Sequence, residues 1–159
     1  MKARNVTLRL AHIGDARTIA ELSRDLIEHG LGWSWTRERV ARNLANPDTS
    51  AVVACDRDRL IGFAIMYFGD EAAHLNLFAV RSDHQRAGVG RRMFEWLRAS
   101  AHVAGIAVVR LELRAANRAG RAFYASLGFE ETGYVPFYYR GRETALRMAL
   151  RLRRGPQPA

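Results

Sequence analysis

Between an apolar run, Leu75 to Val80, and a stretch with helical spacing stands the segment Gln85-Arg86-Ala87-Gly88-Val89-Gly90-Arg91-Arg92. A helix start leaves its first N–H groups without intrahelical acceptors, and the helix dipole makes that end positive. Glycines at 88 and 90 let the turn approach a ligand closely, so the segment reads as a cradle for a pyrophosphate. Its spacing, Gln-x-x-Gly-x-Gly, lacks the lysine and Ser/Thr of a P-loop and does not fit the Gly-x-Gly-x-x-Gly of a dinucleotide site. A glycine turn alone is as often a plain tight turn, and its context decides.

Downstream lie Leu111-Glu112-Leu113-Arg114-Ala115-Ala116-Asn117 and Phe123-Tyr124-Ala125-Ser126-Leu127-Gly128-Phe129. Strand, glycine turn, helix, strand, Asn, then Tyr-x-x-Leu-Gly-Phe is an order that resembles the GCN5-related N-acetyltransferase (GNAT) superfamily over residues 4 to 150. The C-terminal run Phe137 to Met148, with its Tyr138-Tyr139 pair and Arg-Glu-x-Ala-Leu-x-Met, is similar to the ending of the RimI-type ribosomal-protein alanine N-acetyltransferases.

With 159 residues the chain is long enough for one domain with an ordinary core, here residues 1–150, followed by a basic, proline-containing tail, 151–159. No apolar stretch reaches bilayer-spanning length and Met1 to Val6 has no apolar leader region, so the chain reads as cytoplasmic, with no membrane partner. The single cysteine, Cys55, reads as a buried strand residue. The net charge of +9 is nearly all arginine and suits polyanions such as coenzyme A phosphates, acidic peptides or RNA.

Patterning predicts strands at Val6–Ala11, Ser50–Asp56, Leu60–Phe68, Leu75–Val80, Ala107–Leu113, Phe129–Tyr139 and Glu143–Leu150. Helices are expected from an Asp15 N-cap to Gly30, from a Thr36 cap to Pro47, after the glycine turn with Val89, Met93, Trp96, Leu97 and Ser100 inward, and over Asn117 to Leu127. The fold class is thus α/β (α+β): a mixed, mostly antiparallel sheet of about seven strands with about four helices, as the resemblance also implies.

Acetyl transfer to an amine needs a base, stabilisation of an oxyanion and an acid for the departing thiolate. The resemblance gives the acid role to Tyr124, whose phenol, ordinarily titrating near 10, stays protonated at neutral pH. Two residues compete for the base. Glu112 matches the glutamate of the RimI-type group and is favoured. His74 opens the fourth strand, where other members carry a base; alternation there puts His74, Asn76, Phe78 and Val80 on one face. A water chain using both stays open. His12, His29, His84 and His102 read as surface residues, and no cluster suggests a metal.

The resemblance further implies acetyl-CoA as cosubstrate. Backbone groups of Gln85, Arg86, Ala87, Gly88, Val89, Gly90 and Arg91 would hold its pyrophosphate, with an added contact from Arg91 or Arg92. Phe78, Ala79 and Val80 would pair with the pantetheine arm, Asn117 would touch the cofactor, and Arg121 either reaches a phosphate or belongs to a solvated helix face. Where Gln85 stands the family more often has arginine. The acceptor amine is either a protein N-terminus, a ribosomal protein's among them, or a small molecule, attacked directly in a ternary complex; a homodimer stays open. Trp33, Trp35, Tyr138 and Tyr139 are the candidate acceptor-binding residues, although Trp33-Ser34-Trp35 can equally be a loop packed on the core. A non-catalytic CoA- or RNA-binding module is a third reading, opposed by the intact Tyr124 and Glu112.

Overall fold

The computed structural model describes residues 5–152. The expected frayed tail lies outside them from residue 153 onward. Arg151 and Leu152, assigned to that tail, belong to the fold instead: Arg151 ends a strand, and the Leu152 N–H donates to the Ala107 carbonyl at 2.8 Å.

Seven strands and four helices follow in the order β1 (Val6–Leu10), α1 (Ala16–Leu26), α2 (Arg37–Ala45), β2 (Thr49–Asp56), β3 (Arg59–Phe68), β4 (Ala72–Val80), α3 (Val89–Val103), β5 (Val108–Arg114), α4 (Arg118–Ser126), β6 (Glu130–Tyr139) and β7 (Glu143–Arg151). The strands form one sheet, β1-β2-β3-β4-β5-β7-β6. All neighbours are antiparallel except β4 and β5. Helices α1 and α2 cover one face through Ile19, Ala20, Leu22 and Val40 packed on Val53, Phe63, Ile65 and Leu77. Helix α3, with Phe123, Tyr124 and Leu127, covers the other, over Met66, Ala73, Leu75, Leu111 and Leu146. Cys55 is buried on β2, as expected.

Local chemistry explains where boundaries differ from expectation. Asp15 does not cap α1 through its side chain. Its carboxylate accepts from the Arg9 guanidinium at 2.8 and 2.9 Å and from the His12 N–H at 2.9 Å, and a charged bidentate donor outcompetes a helix N–H. Helix α1 then ends at Leu26, ahead of Gly30. Thr36 does cap α2, accepting from the Arg39 N–H at 3.3 Å. In α3 the buried stripe is Val89, Met93, Phe94, Leu97 and Ala101, whereas Trp96 and Ser100 lie off it. The helix is turned so that Phe94 meets Phe129 edge to face, with ring centroids 5.4 Å apart.

The largest departure is in β4. Leu75 pairs with Met66 and Leu77 with Ile65, so Asn76 is an extra residue in its strand, a β-bulge. Leu75 therefore faces α3 while Leu77, two positions on, faces α1. The alternation expected for His74, Asn76, Phe78 and Val80 breaks here. Phe78 and Val80 join Ala73 and Leu75 on the α3 face, and His74 is left on the other.

Candidate active site

Strands β4 and β5 pair only at their starts, Ala72 with Val108, Ala73 with Val109 and His74 with Arg110. Beyond His74 they separate, because β5 stays paired to β7 through Arg114 while the bulge keeps β4 with β3. The Leu75–Val80 edge facing β5 thus has no strand beside it. Buried or half-buried backbone polar groups need partners, so this edge is a template for an extended ligand.

His74 and Glu112 flank the point of separation on the α1 side. The two candidate bases are one unit: the His74 Nε2 lies 2.7 Å from Glu112 Oε2, and the other ring nitrogen meets the Asn76 Oδ1. An acceptor oxygen at each nitrogen favours the protonated ring over the neutral one. The Glu112 hydrogen bond is the main cause that raises the His74 pKa above its usual value, against the lowering effect of burial. The same bond holds Glu112 below the usual carboxylate range, aided by the charges of His74 and Arg147. The second carboxylate oxygen, Oε1, accepts from the Tyr138 hydroxyl at 3.4 Å. His74, Arg110, Glu112, Thr132 and Arg147 line a cavity of about 280 Å³ here.

Tyr124 lies on the opposite face, half-buried against Phe78, Phe123 and Phe129 with ring centroids 6.1, 5.3 and 5.5 Å away. Burial raises its hydroxyl far above an ordinary phenol. A group reaching both Tyr124 and the His74–Glu112 pair must pass through the split between β4 and β5.

The glycine turn lies at the end of that split. Arg86 and Gly88 adopt positive φ of 61° and 82°, and the first acceptor-bonded amide of α3 is Arg92, donating to the Gly88 carbonyl at 3.0 Å. The N–H groups of Val89, Gly90 and Arg91 are left free by helix geometry. A Cβ at Gly90 would stand 3.1 Å from the Phe123 ring and 3.5 Å from Phe78, so only glycine passes between α3 and the aromatic cluster without displacing it. Gln85 points away from the cradle, its Nε2 donating to the Val80 carbonyl at 2.8 Å. That carbonyl, expected to face a pantetheine arm, therefore has a partner already. Arg91 reaches Ser126 and Arg92 the Val6 carbonyl. Arg121 is paired with Glu131 at 3.0 Å on the exposed face of α4. Asn117 uses its Oδ1 to cap α4 on the Gly120 N–H at 2.9 Å, leaving its amide nitrogen as the group for a ligand. His84, expected at the surface, is buried; its ring bridges Asp83 at 2.8 Å and Asp56 at 2.9 Å. It ties the start of the glycine turn to the end of β2, a pairing across 28 residues that no local spacing announces.

Comparison with known proteins agrees with this geometry. The model of the acetyltransferase (GNAT) domain family matches residues 47–131, which run from β2 through the glycine turn to the start of β6. This chain belongs to the GNAT family. N-alpha-acetyltransferase RimI of Mycobacterium tuberculosis is 33% identical over 140 residues, 85% of each chain. The [ribosomal protein bS18]-alanine N-acetyltransferase of Salmonella typhimurium is 41% identical over 96 residues, and that match spans 65% of the relative's length. The crystal structure of the ribosomal-protein-S18-alanine N-acetyltransferase from Escherichia coli superposes with a TM-score of 0.82 at 29% identity, covering 97% of this chain and 98% of that one.

On the α1 side of this GNAT domain the loop after α1 is pinned down. The buried Glu28 carboxylate accepts from Ser34 N–H at 2.8 Å, from the Ser34 hydroxyl and from Trp35 N–H at 3.2 Å. Trp33 donates its indole N–H to Ala20 at 3.1 Å with Arg24 over its ring, and Trp35 packs under Arg39, 4.0 Å from the ring centroid. Neither tryptophan lines the cavity beside His74 and Glu112, and Trp35 packs on the core. Tyr138 and Tyr139 stack edge to face at 4.9 Å, with Tyr138 on Glu112. Sequence reading missed Arg140 and Arg142, which with Gly30, Leu31 and Gly32 line a cavity of about 410 Å³ beside these tyrosines. Among the described residues no helix is long and apolar enough to cross a membrane, and no group of three metal-ligating side chains is found.

Proposed function

We propose that the protein is an acetyl-CoA-dependent N-acetyltransferase that acts on the α-amine of a protein N-terminus. The observation carrying this reading is the split edge of β4, which ends at the free N-terminus of α3. It is a slot with a hydrogen-bonding wall for an extended amide chain and an anion cradle at one end. The names of the relatives, an N-alpha-acetyltransferase and ribosomal-protein alanine N-acetyltransferases, support an N-terminal acceptor, with a ribosomal protein as partner.

In this reading the pantetheine arm lies along Leu75–Val80 and the thioester reaches between the two faces. The acceptor ammonium approaches Glu112 from the α1 side and loses a proton to Oε1. That same proton passes from the carboxyl group to the neutral form of His74, whose raised pKa makes it the better store than a carboxylate held below its usual range. The neutral amine attacks the thioester carbonyl, the tetrahedral oxyanion forms, and the C–S bond breaks as the nitrogen releases its second proton to water and the amide forms. Tyr124 donates a hydrogen bond to the departing sulfur. Full transfer from so reluctant a phenol to a thiolate titrating near 8.5 is uphill, so solvent supplies the proton that finally makes the thiol.

The test is thiol release from acetyl-CoA against a panel of N-terminal peptides and small primary amines, with the product located by mass. Acetylation at the peptide α-amine supports the reading. Turnover of small amines alone would replace the acceptor, and no thiol release with any amine would remove the activity.

A further inference from the structure

We propose that the acceptor carries a carboxylate close to its amine and that Arg140 and Arg142, in the turn between β6 and β7, bind it. This deepens the acceptor half of the function proposed above and rests on it. The cavity of about 410 Å³ is walled by these two arginines and by the backbone of Gly30, Leu31 and Gly32. Arg140 lies against the glycine loop; a Cβ on Gly32 would stand 3.6 Å from its Nη2.

The charge in this cavity is not answered among the described residues. Several other arginines have carboxylate partners: Arg9 has Asp15, Arg24 has Asp25, Arg121 has Glu131, and Arg114 has Glu143 at 3.7 Å. The guanidiniums of Arg140 and Arg142 have no ion pair or hydrogen bond to any described residue. The backbone N–H groups of Gly30 and Gly32, both at positive φ, also lack partners among the described residues. Two guanidiniums and two amide donors around one opening suit a planar anion with several acceptor sites, and a carboxylate takes a guanidinium in two parallel bonds.

The cavity also stands at a set distance from the base. Arg114 is two residues beyond Glu112 on the same face of β5, about 7 Å along a strand. Its guanidinium donates to the His29 carbonyl, one residue before Gly30. On the other side Tyr138, hydrogen-bonded to Glu112, is stacked on Tyr139, which precedes Arg140. A chain that leaves its amine at Glu112 and runs extended, about 3.3 Å per residue, brings its second or third side chain to the arginines. The carboxylate of Glu112 attracts the ammonium while the arginines take the acid, and the opposite signs fix the direction in which the acceptor lies.

The experiment measures kcat/KM for three peptides that share an N-terminal alanine and differ only at the second and third residues, both Glu, both Gln or both Lys. A small amine bearing a carboxylate and its carboxamide are run beside them. Wild type and the double variant Arg140→Gln, Arg142→Gln are compared, with acetyl-CoA affinity measured in both as a check on folding. The proposal expects the Glu peptide to exceed the Gln peptide by about tenfold, chiefly through KM, as for a charge-assisted hydrogen bond gained. It expects that ratio to fall to about one in the double variant. A wild-type ratio near one, a preference for Lys, or a Glu preference that survives in the double variant overturns it. If the peptides are inert but the small amines react, the N-terminal reading fails, and the ratio of carboxylate to carboxamide amine decides the arginine proposal in the same way. Inertness of every amine overturns both.

Discussion

Tyr124, Gly90 and the His74–Glu112 pair each carry a separable part of the site. The Tyr124 hydroxyl has the aromatic rings of Phe78, Phe123 and Phe129 around it and is kept protonated by burial. Tyr124→Phe keeps those contacts and deletes the donor proposed for the departing sulfur, so turnover should fall about 100-fold, the lower end for such a donor, with cofactor affinity nearly unchanged. Turnover within about threefold of wild type, with chemistry limiting, removes the role. Gly90→Val adds a side chain where a Cβ already stands 3.1 Å from Phe123, and α3 must shift off the aromatic cluster. Calorimetry should then find acetyl-CoA binding abolished in the folded variant, and unchanged affinity would refute the cradle. For the base, His74 must be neutral to receive a proton, and its pKa is raised, so kcat/KM should climb with pH on a limb above 6.5. The proton relay expects both Glu112→Gln and His74→Gln to lose that limb on a peptide whose amine titrates well above neutrality. Loss in only one of them assigns the base to that residue alone.

Elements were legible where a local signal existed and obscure where a distant partner set the outcome. Thr36 before Arg37 and Asn117 before Arg118 are cap residues in their own right, and both helices begin there. The bulge at Asn76 has no glycine or proline to mark it, since it arises from how Ile65 and Met66 on β3 pair with Leu77 and Leu75. It alone put His74 on the face opposite to Phe78, and so hid the contact of His74 with Glu112, 38 residues away. His84 failed for the same reason. Its partners, Asp56 and Asp83, come from the end of β2 and from the turn before the glycine segment. The Asp56 hydrogen bond, then that of Asp83, raises the His84 pKa above its usual 6.5. A group raised in the folded state adds stability in full below its unfolded value, and that stability is lost as pH rises through the folded value. His84→Gln should therefore destabilise by roughly 1 kcal/mol at pH 6 and by less at pH 9, read from urea midpoints at the two pH values. An equal loss at both would mean that the ring acts through packing and not through charge.

On the scale of the whole molecule the sheet is continuous on one side of the split and on the other, but only three residue pairs join β4 to β5. The two halves are otherwise held by the shared core of Leu75, Met93, Leu111 and Leu146, to which α3 contributes Met93. A ligand strand added to Leu75–Val80 would supply part of the missing pairing, and the net charge of +9 favours a ligand rich in phosphate. Binding to the folded state alone stabilises by about 2.7 kcal/mol at a hundredfold excess over Kd. For a domain of this size each kcal/mol is worth about 2–4 °C, so acetyl-CoA at that excess should raise Tm by about 5–10 °C. Where the stabilisation falls matters as much as its size. Amide hydrogen exchange should slow at the β5-facing amides of Leu75–Val80 and at Val89–Arg91, whose donors lack partners, and change little in β1 or β2 on the far edge. Protection confined to surface arginines' neighbourhoods, with the β4 edge exchanging as before, would mean that the cofactor is held by charge alone and that the split is not its seat.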